Sequence, residues 1–387
     1  MYKDLDSYYH RWYHSRPVAI TAARREELRR LHRILYRCAV HFAENYRRWV
    51  PSVLSLGEKE LEILQRQEAH PFRAGTWRPD YLIDTDNNLK ICEITSRFFA
   101  HGIFLSWFGE TAAQAFLKSY PEEPYLTRYP ALLAYMESLA AGKKKVFSLK
   151  SSDPTSAIRL YRRFYKSMGL EFEAIEAPQV TARRKDWARP DALVVSALNQ
   201  KDLLEMPMDT LQAMIDTEMI SDFRNIFLLH DKRFMALWFR DDFTSGCLSQ
   251  EDTAFLRAHA IPTYLELPED IGANKDGYIL KPWRLGKSEG LRPGPLTDAD
   301  TWQRLVEGGA EGMIAQPFIP QRTFPTVWEG QNYEDYACGM MLCVDDKFFD
   351  SGIFRFSSLP VTNVGDDRKG FIINTDNPDI LSVSDVL

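Results

Sequence analysis

The chain has 387 residues, of which 45% are hydrophobic and 26% charged, and its formal net charge at pH 7 is −6. This length exceeds what one compact core holds, and it predicts two or three subdomains. The composition is typical of a globular protein and argues against a disordered or fibrous chain. Because basic residues are not in excess, nucleic acid is not an expected partner.

Targeting features and cysteines predict a cytoplasmic protein that is not associated with a membrane. No apolar run approaches the roughly 18 residues of a membrane span, and the N-terminal segment lacks the apolar stretch of a signal peptide. The five cysteines include no CxxC pair. We therefore expect reduced thiols rather than disulfides or structural zinc.

Changes in the hydrophobic period divide the chain into four predicted regions, of which the first is helical. In that region an amphipathic helix is predicted over residues 18–50, with Pro51 ending it, and a second helix over 57–68. The longer helix is a candidate surface for a homodimer. The predicted regions are 1–75 (helical), 76–143 (a hairpin with helices), 144–231 (a small α/β layer) and 232–387 (mixed helices and strands).

The third region alternates strand and helix patterns, which is typical of a small open α/β layer. A helix is predicted over 155–168, after the first strand. No GxGxxG turn marks a dinucleotide site in this region. The predicted strands are 146–149, 170–174, 192–195 and 226–229.

The strongest functional signal is the segment 280–291, which reads LKPWRLGKSEGL. Lys281 at the end of a predicted strand leads into a loop with glycines, cations and a serine. Such a loop can fold over a polyphosphate because glycine lets backbone amides approach the oxygens closely. Lys232, which follows the predicted strand 226–229, would supply a second cation to the same phosphates. The alternative is an ordinary turn with an exposed lysine.

A predicted strand over 313–315 turns at Pro317 and would offer backbone groups and aliphatic side chains to an adenine edge. The alternative for this segment is a plain core strand.

A predicted hairpin that turns at residues 86–88 carries oxygen ligands on one surface. It places the carboxylates of Asp80 and Glu93 beside the hydroxyl of Thr95. Mg²⁺ prefers such ligands, with phosphate oxygens and water completing its shell. The alternative for this hairpin is a salt bridge between Arg78 and Glu93.

Taken together, these segments resemble a circularly permuted ATP-grasp ligase, such as glutathionylspermidine synthetase or eukaryotic glutathione synthetase. In those families an RxD…(L/I)ExN hairpin precedes the phosphate lysines, the glycine-rich loop and the adenine strand. The resemblance spans roughly residues 78–357 through short motifs. It implies an α+β ATP-grasp fold with a small Rossmann-like subdomain and an N-terminal helical region.

The resemblance also implies roles for particular residues. Arg78 and Arg355 would lie at the reacting centre, and Mg²⁺ would be held by Asp80, Glu93 and Thr95. The implied ATP-binding residues are Lys232, Lys281, Gly286, Lys287, Ser288, Gly290, Gln316, Pro317, Phe318 and Ile319.

The sequence departs from the family pattern at two places. Thr95 stands where the family has asparagine, so that one metal ligand becomes a weaker hydroxyl or is replaced by water. The lid loop over residues 286–290 reads GKSEG and is longer than the G-R-E-G of the relatives. Both departures suggest a diverged substrate.

The expected function is therefore an ATP-dependent carboxylate–amine ligase that uses Mg²⁺ and releases ADP and phosphate. Its partners would be a small-molecule carboxylate and an amine, with an amino acid or small peptide as the expected substrate. Two alternatives stay open: a phosphotransferase on the same scaffold, and a nucleotide-binding protein without catalysis.

Overall fold

The fold of this chain, taken from a computed structural model, mixes helices and sheets, as the sequence predicts. The structure describes residues 14, 16–97, 103–123, 128–151, 157–217, 219–284, 286, 288–362 and 368–387.

The helices lie along the whole of the described chain. No helix in the described residues is long and apolar enough to cross a membrane. In chain order they are α1 (Ala22–Glu44), α2 (Tyr46–Val53), α3 (Glu58–Gln67), α4 (Ile103–Leu117), α5 (Tyr129–Leu139), α6 (Ala157–Ser167), α7 (Ala177–Val180), α8 (Arg184–Trp187), α9 (Gln200–Glu205), α10 (Met208–Asp216), a π-helical turn (Asn225–Leu229), a 3-10 helix (Lys232–Phe239), α11 (Asp241–Thr244), α12 (Gln250–His259), 3-10 turns (Lys275–Gly277 and Gly294–Leu296), α13 (Ala299–Glu307) and α14 (Pro378–Leu381).

The strands of the described residues form four sheets. In chain order they are β1 (Val18–Ile20), β2 (Thr76–Ile83), β3 (Leu89–Thr95), β4 (Lys145–Lys150), β5 (Glu171–Glu176), β6 (Ala192–Ala197), β7 (Tyr278–Pro282), β8 (Arg292–Pro293), β9 (Met313–Pro317), β10 (Thr323–Trp328), β11 (Gln331–Val344), β12 (Lys347–Ser351), β13 (Phe354–Ser357), β14 (Arg368–Gly370), β15 (Ile372–Asn374) and β16 (Asp385–Val386).

A seven-stranded sheet forms the centre of the molecule, in the order β14-β13-β11-β2-β3, with β10 and β12 also paired to β11. The predicted hairpin is present as β2 and β3, and its antiparallel register sets Asp80 opposite Glu93 and Arg78 opposite Thr95. Side chains of directly opposite residues share one face of a sheet. This register therefore gathers the four polar side chains of the hairpin on the same face.

Three smaller sheets complete the fold of the described residues. The parallel sheet β5-β4-β6 contains three of the four strands predicted for the α/β layer. The antiparallel sheet β8-β7-β9 carries Lys281, and in it Lys281 pairs with Ile314. In the third sheet β1 pairs with β15 and β16. The first and last predicted regions thus share this sheet, and the four region boundaries stay predictions.

The single helix predicted over 18–50 is wrong, because the structure divides that segment into β1, α1 and α2. The side chain of Thr21 caps the start of α1 by accepting from the Arg24 amide. The break between the helices falls at Asn45, whose φ of −117° and ψ of 24° leave the helical range, and Pro51 lies inside α2.

The apolar stripe predicted for this helix is confirmed. Its members pack against other parts of the same chain, and the homodimer stays a prediction. The stripe residues, each at most 1% exposed, are Leu28, Leu31, Leu35, Cys38 and Phe42.

The strand predicted over 226–229 is also wrong. The segment is a buried π-helical turn, closed by a hydrogen bond from the His230 amide to the Asn225 carbonyl oxygen at 2.9 Å. A short run of apolar residues fits a buried helix as well as a buried strand, so periodicity alone cannot separate the two. Lys232 consequently begins a 3-10 helix rather than following a strand.

His32 on α1 is buried among aromatic rings, with its ring centroid 5.4 Å from that of Trp77 and 5.6 Å from that of Phe348. Burial lowers the pKa of His32 from 6.5 to about 4. In the unfolded chain the imidazole keeps its ordinary pKa and takes up a proton first as the pH falls. The stability contributed by the neutral side chain is therefore lost between pH 6.5 and pH 4.

The variant His32→Phe should be less sensitive to acid than the wild type. Between pH 7.5 and pH 5.0, its free energy of unfolding should fall by about 2 kcal/mol less than that of the wild type. Urea unfolding at the two pH values measures both falls. Equal falls for the two proteins would show that His32 is not a buried neutral group.

Candidate functional site

Asp80 lies in β2, is 3% exposed and is held by two arginines. Arg78 makes a two-pronged contact, with Nε 2.6 Å from Oδ1 and Nη2 2.8 Å from Oδ2. Arg355 reaches the same carboxylate from β13, with its Nη2 3.0 Å from Oδ2. The two arginines predicted at the reacting centre therefore lie together, and the alternative pairing of Arg78 with Glu93 is wrong.

Glu93 lies opposite Asp80 and brings in the two lysines predicted to contact phosphate. The Lys232 Nζ is 3.2 Å from the Glu93 Oε1, and the Lys281 Nζ donates to the Cys92 carbonyl oxygen at 3.4 Å. Burial opposes ionisation of Glu93, but the positive charges of Lys232 and Lys281 outweigh it and lower the pKa of Glu93 to about 2. Burial also lowers the pKa of Lys281.

A bulge in the hairpin shapes this part of the site. The register shifts after Asp80, because Tyr81 pairs with Ile91 and Cys92 has no partner of its own in the β2–β3 pairing. Bulges of this kind re-aim side chains near functional sites. As a result Cys92 and its neighbour Glu93 both line the cavity described next.

One cavity of about 80 Å³ connects the hairpin to β7, β9 and the loop after β7. Its lining combines charged side chains, on the hairpin, β7 and β13, with apolar ones, among them Ile261, Ile279 and Leu291. Its lining residues that the sequence predicts are Asp80, Glu93, Lys281, Ser288, Pro317, Phe318, Ile319 and Arg355. Its lining residues that the sequence does not predict are Leu82, Cys92, Ile261, Ile279, Leu291, Gln321, Cys338, Pro360, Val361 and Thr362.

Like Cys92, the unpredicted residue Cys338 contacts residues of the predicted site. Its Sγ lies 3.8 Å from the Arg355 Nη2, and the Cys92 Sγ donates to the Asp80 carbonyl oxygen at 3.4 Å. The neighbouring Cys92 thiol and the charge of Arg355 lower the pKa of Cys338 although burial opposes them. All five cysteines are free, as predicted.

Other predicted residues lie beside the cavity rather than in its lining. Gln316 is fully buried, and its Nε2 donates to the Thr263 Oγ1 at 2.8 Å, so its amide nitrogen is used within the protein. Gly286 packs under Arg97, where a Cβ would lie 3.0 Å from the guanidinium Nη2. Gly290 has a φ of +70°, which favours glycine. Lys287 lies outside the described residues.

The charges around the hairpin suit a polyphosphate with a divalent cation. Four cations (Arg78, Arg355, Lys232 and Lys281) lie around two carboxylates, so the cluster has a positive excess. No group of three or more His, Cys, Asp or Glu side chains in the described residues is arranged to hold a metal ion. Two carboxylates hold Mg²⁺ only when phosphate oxygens and water complete its shell.

Comparison with known proteins gives the family of this chain. Residues 31–228 match the family model of the AnkG N-terminal domain. The chain belongs to this family. It is also similar to the ATP-grasp enzyme ankG of Aspergillus thermomutatus, with 25% identity over 334 residues that cover 71% of this chain and 69% of the relative.

Among solved structures, one from Methylobacillus flagellatus KT, described as a candidate gamma-glutamylcysteine synthetase, is 11% identical and aligns with a TM-score of 0.41 over 91% of each chain. The relationship to ATP-grasp enzymes that the motifs indicate is confirmed by the sequence relatives. The particular resemblance to glutathionylspermidine synthetase stays a prediction.

Proposed function

We propose that this chain is an ATP-dependent ligase that joins a carboxylate to an amine through an acyl phosphate and releases ADP and phosphate. One observation carries the proposal: Lys232 and Lys281, from separate segments, converge on the carboxylate hairpin, and the hairpin carboxylates and Lys281 line a cavity that apolar side chains also line. A nucleotide has a charged polyphosphate and a flat base, so its site needs both charged and apolar side chains. The ATP-grasp relative supports the same nucleotide.

The permuted ATP-grasp arrangement is part of the proposal, since the hairpin precedes both lysines and the adenine strand along the chain. The apolar side chains of the lining, which include Ile261, Ile279 and Leu291, would contact the adenine beside the main chain of residues 317–319. A cavity of about 80 Å³ is small beside the roughly 300–1,000 Å³ of ligand pockets. ATP must therefore displace part of the lining, and residues 288–291 after β7 are the segment best placed to move.

Asp80 and Glu93 would hold Mg²⁺, with the Thr95 hydroxyl beside them. When bound, the ion neutralises charge on the phosphates. Asp80 already accepts three N–H bonds from Arg78 and Arg355, of the roughly four that a carboxylate can accept. The metal would thus share Asp80 with the two guanidinium groups and rely more on Glu93.

The protein's part in the reaction is to position groups and neutralise charge, because phosphoryl transfer needs little covalent help. Lys232 and Lys281 would hold the phosphates in line with a substrate carboxylate. Arg78 and Arg355 would orient that carboxylate, since a guanidinium offers paired donors that match its two oxygens. The loop after β7 would exclude water from the acyl phosphate. An amino acid or small peptide is the proposed substrate, with an amine as acceptor.

Hydroxylamine trapping tests this reaction class. With Mg-ATP and pooled carboxylic and amino acids, the protein should release ADP and convert hydroxylamine to a hydroxamate, because an acyl phosphate reacts with it. Colorimetric detection of the hydroxamate and an ADP assay measure both products. ADP release without a hydroxamate would instead indicate a phosphotransferase. ATP binding by calorimetry without turnover would indicate a nucleotide-binding protein that lacks catalysis.

Lys281→Ala and Glu93→Ala should each lower kcat/KM by at least about 10²-fold, the scale of losing one preorganised charge from a reacting centre. Circular dichroism should show that both variants keep the fold. Lys201→Ala is the matched control, because Lys201 on α9 is 83% exposed and should leave activity unchanged. If either site variant keeps near-wild-type activity on the true substrate, the site assignment is wrong.

A further inference from the structure

Arg284 follows β7 and lies three residues after Lys281, in the segment that the sequence marks as phosphate-binding. Its guanidinium does not reach the cavity. Instead, each of its nitrogens has a separate protein partner: Nε lies 3.0 Å from the Asp231 Oδ2, Nη1 lies 2.9 Å from the Glu60 Oε1, and Nη2 lies 3.2 Å from the Ser55 carbonyl oxygen. The side chain is only 25% exposed.

Asp231 is the centre of this contact and is fully buried. Besides Arg284, its carboxylate accepts from the Arg233 Nε at 2.9 Å and Nη2 at 2.7 Å, and it caps the 3-10 helix through the Arg233 amide. The Arg233 guanidinium in turn lies 3.8 Å from the centroid of the Trp283 ring. We refer to Asp231, Arg233, Trp283, Arg284 and Glu60 as the Asp231 clasp.

The clasp joins the two chain segments that carry the phosphate lysines. The amide of Lys232 donates to the Trp283 carbonyl oxygen at 2.9 Å, so the segment after the π-helical turn is bonded to the segment after β7. Glu60 connects the start of α3 to the clasp, because its second carboxylate oxygen accepts from the Gly57 amide at 2.6 Å. Three segments that are distant in sequence are thus fixed at one point.

The charges of the clasp cancel, since Arg233 and Arg284 face Asp231 and Glu60. An arginine meant for phosphate would be expected to point its charge into the cavity, as Lys281 does. The Arg284 guanidinium instead donates all its hydrogen bonds within a neutral, largely buried network. Such a network fixes geometry without adding positive charge to the phosphate site.

We propose that Arg284 is a positioning residue, which sets the distance between Lys232 and Lys281 by clamping Asp231 and Glu60. The proposal rests on the proposed function for its effect on catalysis, although the clasp itself is a property of the fold. The three partners lie against three different nitrogens of the planar guanidinium, and the single nitrogen of a lysine cannot occupy all three positions. Replacing Arg284 by lysine therefore keeps the charge and removes the clamp.

The test compares Arg284→Lys with the wild type and with Arg292→Lys, a matched control at an exposed arginine on β8. Hydrogen exchange of peptides covering 225–240 reports the Lys232 amide without any ligand. In Arg284→Lys this amide should exchange at least about tenfold faster. With Mg-ATP and substrate, kcat should fall by about 10²-fold, while the KM for ATP changes by less than about threefold. The control should match the wild type in all three quantities.

Glu60→Gln provides a second variant on a different element, in case Arg284→Lys is poorly folded in urea titrations. It should speed exchange of the same amide in the same direction. Unchanged exchange in both variants would overturn the proposal. An increase in the KM for ATP with unchanged exchange and kcat would also overturn it, because Arg284 would then contact phosphate. If the wild type does not turn over, the proposed function fails, and the exchange measurement alone still decides on the clasp.

Discussion

The ion pair between Glu93 and Lys232 is the contact on which the candidate site depends. Glu93 lies on the hairpin of the central sheet, whereas Lys232 begins a helix that follows the π-helical turn. Removing charges from water is costly unless each finds a partner in good geometry. The partly buried carboxylate therefore holds the lysine in the site before any ligand arrives, and it ties the sheet to the helical part of the molecule.

The same reasoning extends to Asp80, whose two arginines come from β2 and from β13, 275 residues further along the chain. In both cases a carboxylate on the hairpin is neutralised by a cation from a distant segment. The site is thus preorganised by its own opposite charges, which lowers the ordering cost of binding an anionic ligand. An incoming nucleotide would compete for cations that are already in place.

The sequence predicts the elements of this site better than their junctions. The β2–β3 hairpin, β7 and β9 are predicted from short apolar runs beside turn or loop residues, and these strands carry Asp80, Glu93 and Lys281. The π-helical turn before Lys232 could not be predicted, because a run of buried apolar residues has no period that separates a strand from a helix. The bulge at Cys92 and the contacts of Arg284 depend on partners far along the chain, which a local pattern does not contain.

The match to the AnkG N-terminal domain covers residues 31–228, so it includes the hairpin carboxylates and ends before Lys232 and Lys281. The two parts do not form separate halves of the structure, because β2 pairs directly with β11 and Arg284 bonds Glu60 on α3. Without the later segments, Asp80 would lose Arg355 and Glu93 would lose Lys232. Removing the counter-charge of a buried carboxylate strongly destabilises a fold. The family domain in this chain therefore depends on the segments after residue 228, both for its charge balance and for the candidate chemistry.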